Sequence, residues 1–193
     1  MGALTELIWT GSYGSTTIDH ICERAGVKKG SFYHFFESKA DLAIAALEAN
    51  WEARRPELDA LFSPSVPPLE RLRKFGERSY QKQVELKKTC GSVLGCPLFS
   101  LGTEVCTQDQ ELRAKIQEYL GKYRKYLESA IRDAAAEGLI QAPNPAEKAR
   151  MLFAYYEGLL TQARIQNDVE VLREWPCGCY AMLGLKQTEM IAA

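Results

Sequence analysis

Residues 28 to 36 read KKGSFYHFF. Within about two helical turns the stretch sets out two ammonium groups, a hydroxyl, a phenol and an imidazole, with one glycine among them. Those groups hold phosphate oxygens and read the edges of bases. Each residue alone would be ordinary: a lysine pair is usually solvated surface, and a tyrosine is usually half-buried. Gly30 is less ordinary, because glycine inside a helix is about 0.5–1 kcal/mol less favourable than alanine. Without a side chain, however, a helix backbone can approach an external surface closely. Catalysis fits poorly. The chain has two histidines, His20 and His34, and shows no nucleophile–base pairing and no phosphate loop, so no enzyme is expected. Neither histidine lies near the cysteines, so no metal ligand set is expected, and no cofactor.

A second reactive group of residues lies in CGSVLGCPLFSLGTEVC, residues 90 to 106. Cys96 precedes Pro97 at the start of an expected helix, where a thiolate is stabilised, and Cys106 or Cys90 could resolve it, as could Cys177 and Cys179. The alternative is that these cysteines are small buried hydrophobes. Six cysteines without an export signal suggest reduced thiols in the cytoplasm.

The elements that must position these groups are helical. Apolar residues recur at helical spacing throughout, and no alternating stretch is long enough for a sheet, so an all-α fold of about nine helices is expected. Thr16-Thr17-Ile18-Asp19 opens a short helix with Thr16 as cap, and Gly26 follows its end. A second short helix covers roughly 28 to 34, with Phe32, Phe35 and Phe36 packing it onto its partners. Ser38 to Asp41 launches a longer helix that runs beyond Trp51, kinked at Pro56. SPSVPP, residues 63 to 68, is a linker. Helices then follow from Leu69 to Leu86, Pro97 to Thr103 and Leu112 to Ile131. Another opens at Pro143-Asn144-Pro145, and the last covers about 169 to 185, loosened near Pro176 and Gly178.

Two short helices joined by a tight glycine-containing turn make a helix-turn-helix, whose second helix enters a DNA major groove. In that setting Lys28, Lys29 and Ser31 lie at the groove-facing end, where backbone N–H groups also favour phosphate. Tyr33 follows Lys29 by four residues, within reach of a neighbouring phosphate, and Lys39 sits at the first turn of the next helix, a second grip on the backbone. Charge does not advertise this function: 24 Lys and Arg face 25 Asp and Glu, a net charge of −1. The first fifty residues hold more carboxylates than cations, so any DNA contact must come from local clustering. No apolar run approaches the ~18 residues of a membrane span.

STTIDHICERAGVKKGSFYHFFESKADL, residues 15 to 42, closely resembles the DNA-binding signature of the TetR/AcrR family of transcriptional regulators. The resemblance implies that Thr17, Lys29, Gly30, Tyr33 and Lys39 touch DNA backbone or bases. Lys28, Ser31 and His34 fall on positions that tune sequence choice. Phe35 stands where many members carry His, and residues 3 to 9 are what remains of a first helix that is usually longer. The implied architecture is a three-helix reading domain over residues 1–45 and a helical ligand-binding and dimerisation domain over 46–193. For the cavity, Phe75, Phe99, Tyr119, Tyr123 and Tyr155 are candidate lining residues, though aromatics so spaced are often plain core. For the homodimer, Tyr155, Gly158, Leu159, Gln162 and Ala163 permit close approach of two helices. The implied partners are a palindromic DNA operator and an apolar or aromatic small-molecule inducer, with the protein acting as a repressor. GCPLFSLGTEV also looks like a stretch from members that respond to electrophiles, which leaves a cysteine sensor as one alternative. A non-inducible structural DNA-binding protein is the other.

Overall fold

The computed structural model describes Leu7 and residues 11–185. Among these, eight α-helices and one 3-10 helix occur and no strand. The first helix expected over residues 3 to 9 lies, Leu7 apart, outside them. The helices are α1 (Ile18–Ala25), α2 (Lys29–Phe35), α3 (Lys39–Leu61), α4 (Pro68–Cys90), α5 (Pro97–Val105), α6 (Gln110–Ala136), α7 (Pro145–Gln166) and α8 (Trp175–Leu183). The 3-10 helix, Val169–Glu174, precedes α8, so the loosening expected near Pro176 falls just before that proline, which occupies the first turn of α8. No helix among the described residues is long and apolar enough to cross a membrane.

Local chemistry sets the boundaries. Thr17, not Thr16, caps α1: its hydroxyl accepts from the His20 N–H at 3.1 Å, and the His20 ring nitrogen accepts from the Thr17 N–H. His20 therefore takes the place expected of Asp19. Thr16 is buried instead, its hydroxyl donating to the Ser12 carbonyl at 2.7 Å. Gly26 closes α1 in the left-handed conformation, its N–H reaching the carbonyls of Cys22 and Glu23. Asn144 caps α7 through the Glu147 N–H, with Pro145 in the first turn. Pro56 is accommodated inside α3.

The chain divides into two compact units interleaved in sequence, residues 1–55 with 97–120, and residues 56–96 with 121–193. In the first, Ile21, Phe32, Leu42, Ala43 and Ala46 pack with Leu101, Val105, Leu112 and Ile116 into one apolar core. Segment 97–120 thus belongs to the same core as the helix-turn-helix. In the second unit, Trp175 is 1% exposed, and its indole N–H donates to the Leu72 carbonyl at 2.8 Å. That approach requires Gly76, where an added Cβ would lie 1.8 Å from the Trp175 ring. Gly76→Ala is therefore expected to destabilise the fold by about 1–3 kcal/mol or more. Chemical denaturation checks this; an unchanged midpoint would show that Trp175 can move aside freely.

Candidate nucleic-acid interface

Helix α2 buries one side chain, Phe32, which is 5% exposed and meets the rings of Tyr33 and Phe36. Every other residue from Lys28 to Phe35 is exposed. The helix is thus pinned to its unit by one aromatic anchor and turns the rest of its surface outward. Lys28 is its N-cap residue, and no side chain caps that end. Lys28, Lys29, Gly30, Ser31, Tyr33 and His34 share this open surface, as the sequence predicted, and Thr17 is exposed at the start of α1.

Gly30 has no structural reason to be glycine. Its φ is not among the positive values, and among the described residues no heavy atom beyond its own helix backbone and chain neighbours lies within 4 Å of an added Cβ. The space over it is open. Lys29 pairs with the Asp19 carboxylate at 2.9 Å, both side chains largely exposed, and the hydrogen bond it donates to Asp19 raises its pKa above the ordinary value. An ion pair so exposed is screened by solvent and contributes little to stability, so a phosphate can replace the carboxylate at little cost.

Two expectations about this surface are corrected. Phe35 does not pack inward: it is 74% exposed, its ring edge-on to His34. Helix α2 is too short to bury three phenylalanines, and its end leaves Phe35 on the outer side. Lys39 does not present a free cation. Its ammonium donates to the carbonyls of Tyr13 at 2.7 Å and Thr16 at 2.8 Å, and lies 4.1 Å from the centre of the Tyr13 ring. Burial lowers its pKa, an effect that the charge of Glu104 opposes.

The aromatics proposed for a ligand cavity do not converge. Tyr123 stacks on Phe153, Phe153 meets Tyr156, Tyr156 meets Phe75 and Trp175, and Trp175 stacks on Tyr155. Phe75, Tyr123 and Tyr155 therefore join one network of touching rings in the second unit. Tyr119 belongs to the first unit, where it is 2% exposed against Trp51, and Phe99, also of that unit, is 38% exposed. A surface groove of about 580 Å³ in the second unit is lined by polar side chains such as Arg124, Glu128, Glu147 and Arg150, and by none of the five.

On α7, Leu159 and Ala163 are buried inside their own chain, so they cannot serve an outer face. Gly158 is open above its Cα, Gln162 is exposed and Tyr155 is partly exposed. Met151 and Ile165, the latter 78% exposed, share that outward side and were missed from sequence. The seven-residue steps from Met151 to Gly158 to Ile165 are the sequence signal that sets them on one side of the helix. All six cysteines are thiols. Cys96 hydrogen-bonds to the Glu157 carboxyl, a neighbour opposite in charge character to the cation that an activated thiolate requires. Burial pushes the Cys179 thiol up to about 12. Cys106 is partly buried in the first unit. The cysteine-sensor alternative is not favoured.

Comparison with known proteins accords with this geometry. Residues 1–46 match the family model described as bacterial regulatory proteins, tetR family. Residues 68–175 match the model of the tetracyclin repressor-like C-terminal domain. The chain is 31% identical over 156 residues to the transcriptional regulator AcuR of Cereibacter sphaeroides, covering 80% of this chain and 69% of that protein. It is 26% identical over 164 residues to the transcriptional repressor NemR of Escherichia coli, covering 80% and 77%. A crystal structure of a TetR regulatory protein from Rhodobacter sphaeroides superposes with a TM-score of 0.82 at 28% identity, covering 94% of this chain and 95% of that one.

Proposed function

This chain belongs to the TetR family of bacterial regulatory proteins, and on that premise we propose a dimeric repressor that holds a palindromic operator and is released by a small molecule. It is a DNA-binding transcriptional regulator. The observation that carries the proposed interface is Gly30, a helical glycine with open space above it on an exposed cationic helix. Lys28, Ser31 and His34 select sequence, whereas Thr17, Lys29, Gly30 and Tyr33 follow the backbone. DNA reading is assigned to residues 1–45, which share a compact unit with segment 97–120, and ligand binding and dimerisation to 46–193. The inducer is an apolar or aromatic small molecule; the match to the tetracyclin repressor-like C-terminal domain supports a small-molecule ligand. The term repressor rests on relatives that carry it in their names. The site of action is the cytoplasm, where the operator is.

Binding-site selection from random duplexes tests this. A palindromic consensus is expected, its half-sites about one helical turn apart or a multiple of that. Ser31→Ala and Lys28→Ala should shift which bases are preferred, by about 1–3 kcal/mol at the affected position. Enrichment of no sequence, or equal weakening on all sequences, would defeat the reading.

Dimerisation follows from symmetry, because one helix-turn-helix reads too few base pairs alone. The outward side of α7 with Met151, Gly158 and Ile165 is the surface offered to the second copy. Gly158→Leu has room within its own chain, so it should fold normally yet sediment as a monomer at micromolar concentration. A wild-type protein that is itself monomeric there would rule the surface out.

A further inference from the structure

We propose that Glu104 and Lys39 form a clamp on the turn Tyr13–Thr16 that positions the helix-turn-helix. The inference rests on the regulator reading above. The Glu104 carboxylate, from α5, accepts the Tyr13 N–H at 2.9 Å and the Gly14 N–H at 2.5 Å. From the other side the Lys39 ammonium, at the start of α3, takes the carbonyls of Tyr13 and Thr16 and covers the Tyr13 ring. The same short turn is therefore gripped by an anion on its donors and a cation on its acceptors, all four contacts being charge-assisted hydrogen bonds, the stronger kind.

The turn ends where reading begins. Thr16 is buried, and the next residue, Thr17, caps α1. α1 passes through Gly26 directly into α2, so the placement of the turn sets where α2 starts. Sequence spacing could not show this pairing, because Glu104 lies 90 residues from Gly14. It stands in the GTEV stretch, two residues before Cys106. The clamp also gives segment 97–120 a polar hold on the reading helices in addition to the shared core. Displacing α5 along its axis would pull on the turn through both N–H bonds at once.

The clamp makes an expectation opposite in sign to simple electrostatics. Removing a carboxylate from a protein that binds a polyanion should, by charge alone, strengthen binding. Glu104→Ala, which removes both charged hydrogen bonds to the turn, is instead expected to weaken binding to the selected operator about tenfold or more. Glu104→Gln, which keeps one acceptor, should fall between. Lys39→Met should likewise lower affinity for the selected operator. Amide exchange at Tyr13 and Gly14 reports the clamp without any DNA: both N–H groups should lose protection in Glu104→Ala while α4 and α7 keep theirs. Unchanged exchange, or tighter binding by Glu104→Ala or by Lys39→Met, would each overturn the clamp. A wild-type chain that selects no operator, with the exchange result intact, would instead overturn the regulator reading.

Discussion

Replacing Gly30 with alanine should leave the folded chain slightly more stable and its operator binding about tenfold weaker. Both halves come from one observation. No heavy atom of the surrounding protein lies within 4 Å of the added Cβ, and the backbone there is helical without a positive φ. Alanine then contributes its better helix propensity, up to about 0.5–1 kcal/mol, with nothing to displace. On DNA the same methyl group occupies the space through which the α2 backbone approaches the duplex. Gly30→Gln, equally compatible with a helix, should abolish specific binding while its thermal midpoint stays at or above that of wild type. Parallel melting curves and operator titrations separate the two effects. If both variants bind as tightly as wild type, α2 is not the reading helix and the interface must be sought elsewhere.

That contrast explains what could be read without a structure. Helix signals are local, so Gly26, Asn144-Pro145 and the apolar periodicity of α6 were legible, as was the open surface of Lys28 to His34. The side chain that caps an end is a finer matter: Thr16 and Thr17 carry the same hydroxyl, and only the backbone shows which one faces the first turn. Long-range partnership leaves no local pattern. Lys39 reads as a free cation in sequence because the carbonyls it meets belong to a turn more than twenty residues away. The aromatics failed for another reason. Helical spacing places a ring on a buried face but does not say whether a neighbouring ring or a space lies opposite, and Phe75, Tyr123 and Tyr155 each meet another ring.

The second large effect is a dependence of stability on pH that belongs to one carboxyl. Glu157, on α7, is 2% exposed, and its Oε2 has no hydrogen-bond partner among the described residues. Burial raises the Glu157 pKa from 4.5 to about 7, and the Cys96 thiol offsets this only in part. With the folded pKa above the unfolded one, the folded chain holds an extra proton between those values. The carboxyl therefore imposes no penalty below about pH 4.5, an increasing one as pH rises, and the full one above about pH 7. A shift of that size corresponds to about 3 kcal/mol. Wild-type stability relative to Glu157→Gln should thus fall steadily from pH 5 to pH 8, the variant being the more stable at pH 8 by about 2 kcal/mol once its amide's own unmet hydrogen bonds are allowed for. Taking the difference between the two proteins cancels every other titrating group. Denaturant unfolding at four pH values across that window measures it, and a difference that does not change with pH would mean that Glu157 is solvated or paired when the protein is in solution.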